Sequence, residues 1–135
     1  MSQSSSDNRF IIIGGGIAGV SAAEAIRKSR PEAEITLISE EPNLPYMRMS
    51  LTRYLAGEVR REKLFLHDEQ WYLENHITLL LETRVLAIDA PAKEITLADG
   101  AKLAYDKLIL ASGANPRVPP FPGKDLKGVH TLRTL

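Results

Sequence analysis

Three glycines carry the first chemical suggestion in this 135-residue chain. Gly14, Gly16 and Gly19 match the spacing G-x-G-x-x-G and follow directly on the apolar run Phe10–Ile13. Gly14 permits a sharp turn, Gly16 lets a pyrophosphate approach the peptide backbone, and Gly19 allows a helix to pack close to a strand. Ile17 and Ala18 open that helix, whose free N–H groups and partial positive charge face the same phosphates. Glu40 stands 21 residues beyond Gly19. A carboxylate there accepts hydrogen bonds from an adenosine ribose and repels a 2′-phosphate. The chemistry implied is the binding of a dinucleotide.

The elements that must position these residues are legible around them. Phe10–Ile13 is a β-branched run closed by glycine, a strand buried on both faces as in a parallel sheet. Ile17–Ser29 is alanine-rich, basic in its last turn and stopped by Pro31, which predicts a helix. Ile35–Ser39 is the second strand, parallel to the first by the right-handed crossover rule. A proline-punctuated loop over Pro42–Pro45 follows. Met49–Leu55 then reads as a helix ending near Gly57, and Gln70–Asn75 as a short helix with Asp68 as its N-cap. Ile77–Leu81 is a third apolar strand. The segments "RVLAIDA", "KEITLAD" and "KLAYD" predict an antiparallel meander, with Asp99–Gly100 in a turn. Lys107–Ala111 is again a buried-type strand, and four prolines and a glycine in 115–123 make an extended connector.

Composition removes several functions. The chain carries 17 basic and 17 acidic residues, 44% apolar and 25% charged residues, and no cysteine. A net charge of zero gives no bulk attraction to nucleic acid or to an anionic membrane. Disulfides, thiolate metal sites and a redox cysteine pair are excluded within these residues, and the lack of cysteine suits a reducing cytoplasm. No apolar run approaches the roughly 18 residues of a membrane span. Residues 1–8 are polar and lack an apolar signal-peptide core, which predicts a disordered leader. His67, His76 and His130 show no metal-ligand spacing, Trp71 fits a core position, and no side chain presents itself as an acid–base catalyst.

After its second strand the chain departs from a simple NAD-binding unit. Glu41–Arg53 reads "EPNLPYMRMSLTR", the meander follows, and then comes "YDKLILASGANPRVPPFPG". These features resemble the FAD-binding part of the pyridine-nucleotide-dependent flavoprotein reductases, the glutathione-reductase-like fold family, over nearly all of residues 9–134. The similarity is strongest to its cysteine-free branch of ferredoxin and rubredoxin reductases, nitrite-reductase flavoprotein parts and apoptosis-inducing-factor-like proteins. That branch carries a stretch like E-x-x-x-P-Y-x-R-P-x-L-S-K. Pro45, Tyr46, Arg48 and Leu51 agree with it, whereas Met49, Thr52 and Arg53 depart from it.

The resemblance implies an α/β fold: a three-layer ββα FAD/NAD(P)-binding domain with a parallel Rossmann-like sheet and a three-stranded antiparallel β-meander, lacking the last parallel strand. It implies an FAD-binding portion over 9–114 and a connector over 115–135 leading toward an NAD(P)H-binding domain outside these residues. Beyond the glycines and Glu40, the implied cofactor contacts are Glu41, then Arg48 and Arg53 near the flavin and its ribityl–phosphate arm, Val85 through its backbone beside adenine, and Ala111, Ser112 and Gly113 beneath the cofactor. Arginine at 53 replaces a family lysine and is bulkier and planar.

The expected activity is electron transfer from NAD(P)H through FAD to an acceptor such as ferredoxin, rubredoxin or a nitrite reductase centre, by an enzyme of which this chain is one part. The chain by itself is expected to be inactive and to bind FAD weakly, or not at all after purification. The strand at Lys107–Ala111 is expected at a sheet edge, through which an oligomer could form. A non-catalytic dinucleotide-binding module and a small NAD-binding subunit remain the alternatives.

Overall fold

The computed structural model describes residues 8–135, so the expected leader, Asn8 apart, lies outside the described residues. The element order is β1 (Arg9–Ile13), α1 (Ile17–Ser29), β2 (Glu34–Ile38), α2 (Leu51–Leu55), α3 (Glu69–Glu74), β3 (Ile77–Leu80), β4 (Val85–Asp89), β5 (Glu94–Leu97), β6 (Lys102–Ala104) and β7 (Lys107–Leu110). Four parallel strands form one sheet in the order β3-β2-β1-β7, and β4-β5-β6 form a separate antiparallel sheet.

The alternation of side chains along the parallel strands decides the layers. Phe10, Ile12, Ile35, Leu37 and Ile77 point to one face and pack with Val20, Ala23 and Ile26 of α1 and Tyr72 of α3. Ile11 and Ile38 point to the other and pack with Ile95 and Leu97 of the meander and with Tyr105. Strands apolar on both faces therefore sit between a helical layer and a β layer. This is the three-layer ββα arrangement expected from the sequence. Ile12, Leu37 and Ile95 are fully buried, each contributing on the order of 1.5–3 kcal/mol of transfer free energy.

Local signals explain the element ends. Asp68 caps α3, its Oδ1 accepting the Trp71 N–H at 2.9 Å. The Asp99–Gly100 turn joins β5 to β6 with Gly100 at φ +87°, and Asp99 Oδ1 accepts the Ala101 N–H at 2.9 Å. The helix expected over Met49–Leu55 is split: Arg48–Ser50 forms a 3₁₀ turn and Leu51–Leu55 a short α-helix. A further 3₁₀ turn at Arg61–Lys63 has no apolar periodicity to announce it. His67 stacks on Trp71 with ring centroids 3.7 Å apart and meets Glu24 at 2.5 Å, so this histidine packs α3 onto α1. Arg9 and Asp106 join the starts of β1 and β7, with the Arg9 N–H donating to Asp106 Oδ2 at 2.9 Å and Arg9 Nη2 to Oδ1 at 3.2 Å. Strand β7 lies at the edge of the sheet, as expected.

Candidate functional site

The chain steps from β1 to β2 to β3 in one direction across the sheet, and β7 joins β1 on the other side. The order therefore reverses between β1 and β7. In open parallel sheets the crevice outside the carboxyl ends of the strands at such a reversal is where ligands bind. A cleft of about 550 Å³ opens there.

The glycine turn forms its floor. Gly14 sits at φ +123°, a conformation other residues rarely adopt, and its N–H donates to the Ile38 carbonyl at 2.8 Å. A Cβ at Gly14 would lie 2.0 Å from the Ala111 carbonyl oxygen, and a Cβ at Gly19 would lie 1.9 Å from the Gly14 carbonyl oxygen. These two glycines thus serve backbone-to-backbone contact inside the fold. Gly15, which the spacing argument passes over, is also crowded: its Cβ would come within 2.8 Å of the Ser39 side chain. Gly16 is different. Nothing lies within 4 Å of a Cβ placed there, and Gly16 lines the cleft. It is also the N-cap of α1, in extended conformation and with no side-chain cap. The first turn of α1 holds no acidic residue. Its N–H groups and positive dipole end are therefore available to an anion.

The walls come from the loops after β2, before β4 and after β7. The Glu82 and Thr83 N–H groups donate to the Glu41 and Ser39 carbonyls at 3.2 and 2.9 Å, which brings Arg84 and Val85 to the cleft. Glu40 lines it from the opposite loop and meets Arg84 Nε at 3.3 Å across an exposed surface. Glu41 accepts the Tyr46 hydroxyl at 2.6 Å and is ion-paired with Arg48. Burial, with the hydrogen bond to Glu41, pushes the Tyr46 phenol above its ordinary range. Ala111, Ser112 and Gly113 line the cleft from the end of β7, and Arg133 and Thr134 return from the connector to complete it.

Of the residues singled out in the sequence, the structure gathers Gly14, Gly16, Glu40, Glu41, Arg48, Val85, Ala111, Ser112 and Gly113 around this one cleft. Ile17 and Ala18 stand exposed on the first turn of α1, and Gly19 is buried beneath it. Arg53 lies on α2 outside the lining, 62% exposed and paired with Glu58 at 3.1 Å. Sequence reasoning passed over Arg84 and Arg133. Arg84 opens the expected segment "RVLAIDA" and directly precedes β4, a signal that marks it. Arg133 follows an irregular stretch, and no local pattern brings it back.

The charges of the cleft are unevenly matched. Arg84 has Glu40 and Arg48 has Glu41. Among the described residues the Arg133 guanidinium makes no ion pair or hydrogen bond, and Arg133 Nη2 stands over Gly113, 3.0 Å from where a Cβ there would be. An unmatched cation in the same cleft as a helix amino end fits a ligand bearing more than one negative charge, as a pyrophosphate does. Among the described residues no group of three potential metal ligands occurs, and no helix is long and apolar enough to cross a membrane.

Comparison with known proteins places this geometry. The family model for pyridine nucleotide-disulphide oxidoreductases matches residues 8–135. Rhodocoxin reductase of Rhodococcus erythropolis is 42% identical over 126 residues, which is 93% of this chain and 30% of that protein. The biphenyl dioxygenase system ferredoxin–NAD(+) reductase component of Paraburkholderia xenovorans is 42% identical over 125 residues, 92% of this chain and 30% of its own length. The crystal structure of the ferredoxin reductase for the CYP199A2 system from Rhodopseudomonas palustris superposes with a TM-score of 0.84 at 32% identity, over 94% of this chain and 31% of that one. The chain thus spans about 30% of the length of the curated relatives it matches. With the family model matching residues 8–135, the chain belongs to the pyridine nucleotide-disulphide oxidoreductase family.

Proposed function

We propose that this chain is the FAD-binding part of an NAD(P)H-dependent flavoprotein oxidoreductase that passes electrons from NAD(P)H through FAD to an acceptor protein of the ferredoxin or rubredoxin kind. The observation that carries the reading is Gly16: a cap position bare of side chain, open to the cleft, at the amino end of α1. Bound FAD would supply the redox chemistry, taking a hydride from NAD(P)H and releasing electrons to the acceptor.

The chain's own residues bind and orient. Gly14 and Gly19 hold the turn tight, so that the peptide groups around Gly16 and the first N–H groups of α1 cradle the pyrophosphate. Ile17 and Ala18 contribute backbone, not side chains. Glu40 accepts from the adenosine ribose, and Val85 offers backbone groups to adenine. Ala111, Ser112 and Gly113 pass beneath the cofactor. Glu41 and Arg48 face the phosphate arm. Arg53 belongs to the same family stretch, and its role is carried by the resemblance alone. The relatives named above are reductases of ferredoxin-type electron carriers, and this supports an acceptor protein as partner.

The remaining assignments follow from the same reading. Residues 9–114 act as the FAD-binding portion and 115–135 as the connector toward an NAD(P)H-binding domain, the protein works in the cytoplasm, and the outer edge of β7, which pairs with no strand among the described residues, offers a site for further pairing. Calorimetric titration of the chain with FAD, NADH and NADPH tests the proposal. FAD binding that is displaced by ADP is the expected result. Tight NADH binding with no affinity for FAD would instead identify a small NAD-binding subunit.

A further inference from the structure

Tyr46 is only 3% exposed, yet its hydroxyl is fully used. It donates to Glu41 Oε2 at 2.6 Å and accepts from Arg48 Nη1 at 2.9 Å and from the Leu135 N–H at 3.0 Å. One donor and two acceptor sites exhaust what a phenol can offer. Arg48 Nη1 also donates to the Arg133 carbonyl at 2.9 Å, and Arg48 Nη2 pairs with Glu41. Three of the five Arg48 N–H bonds are thereby committed within the protein. The Leu135 side chain packs on the cluster of Tyr46, Leu51 and Leu64. Both hydrogen bonds that bring the chain back to the cleft, at Arg133 and at Leu135, therefore come from the Tyr46–Arg48 pair.

We propose that Tyr46 is a positioning residue: with Arg48 and Glu41 it clasps residues 133–135 to the mouth of the cleft, and so delivers the Arg133 guanidinium to the pyrophosphate. The inference rests on the proposed FAD site for its ligand, but the clasp itself is a property of the protein alone. If the strap is released, Arg133 is in place only part of the time, and apparent affinity falls by that fraction.

The test pairs two readouts on the same chain. Hydrogen–deuterium exchange without ligand follows the amides of residues 131–135, and calorimetry follows FAD. Tyr46→Phe keeps the ring and removes all three hydrogen bonds. It is expected to speed exchange in 131–135 by about 3- to 10-fold, the worth of one or two net hydrogen bonds, while residues 9–38 exchange as before. FAD affinity is expected to fall by a similar factor in Tyr46→Phe, and by more in Arg133→Ala. The double variant should bind no more weakly than Arg133→Ala, because the clasp acts through that side chain. Unchanged exchange in the strap, or losses that multiply in the double variant, would overturn the proposal. If the parent chain has no FAD affinity, the cofactor reading fails while the exchange comparison still decides the clasp. Should Tyr46→Phe lose its fold by circular dichroism, Arg48→Lys takes its place. It keeps a charge for Glu41 but cannot span the Tyr46 hydroxyl and the Arg133 carbonyl.

Discussion

Gly16→Ala and Gly19→Ala make the same chemical change three residues apart, and the structure assigns them opposite consequences. At Gly16 a Cβ meets nothing within 4 Å, and the backbone at φ −87°, ψ −174° is open to alanine. Reduced freedom of the unfolded chain gains about 0.4–1 kcal/mol, and replacing glycine at an N-cap by alanine loses about as much. Stability should therefore stay within about 1 kcal/mol of the parent, a Tm shift of no more than roughly 3–5 °C for a chain of this size. At Gly19 the Cβ would stand 1.9 Å from the Gly14 carbonyl oxygen and 3.1 Å from Leu37 Cδ1. The first neighbour is backbone and can move only if the turn moves. A gain of about 1 kcal/mol in helix propensity is outweighed by overpacking of about 3 kcal/mol, for a net loss near 2 kcal/mol and a Tm lower by about 6–10 °C. Binding should respond the other way: Gly16→Ala puts a methyl group where a phosphate must come and should weaken FAD by tenfold or more, about 1.4 kcal/mol. Thermal unfolding by circular dichroism and titration with FAD measure the two effects. A stable Gly16→Ala chain that binds FAD as tightly as the parent would refute the phosphate cradle. A Gly16→Ala chain that unfolds would refute the geometry from which the cradle was derived.

Other consequences concern the frame around the cleft. Tyr72 is 2% exposed, and its hydroxyl has no hydrogen-bond partner among the described residues; Tyr72→Phe should leave stability unchanged or raise it by about 1 kcal/mol in urea denaturation, since an unpaired buried polar group costs about that much. The Arg9 guanidinium and the Arg9 and Asn8 N–H groups hold the Asp106 carboxyl down at about 2. Because this folded-state value lies below the ordinary 3.8, the contribution is complete above about pH 4 and is lost as pH falls toward 2. Stability measured across that window should drop less steeply in Asp106→Asn than in the parent, and equal slopes would count against the pairing. Asp68→Ala removes the cap of α3 and should cost about 1 kcal/mol, a Tm fall of roughly 3–5 °C.

Much of the frame could be read from the chain alone because its causes are local. A β-branched run closed by glycine, an alanine-rich segment stopped before proline, and short alternating runs separated by turn residues each act over a few positions. So β1, α1, β2, the meander and β7 were found where the sequence placed them, to within a residue or two. The split of Met49–Leu55 was not legible, because Arg48–Ser50 tightens where the chain must carry Arg48 toward Glu41 and the strap.

The site divides along the same line. Its glycines and Glu40 announce themselves by type and spacing, and the segment Ala111–Gly113 by family resemblance. Three of its features do not. The first is the crowding of Gly14, because the Ala111 carbonyl lies opposite it only once β7 has paired with β1. The second is the commitment of Arg48 to its neighbours. The third is the arrival of Arg133 at the cleft, 85 residues along the chain from Arg48. Composition and spacing determine which residues can bind a phosphate, because backbone freedom and charge belong to each residue by itself. Tertiary structure decides which of them are left open to one, because a partner such as Glu41 or Glu40 can neutralise one cation and leave another unmatched, and only folding brings those partners together.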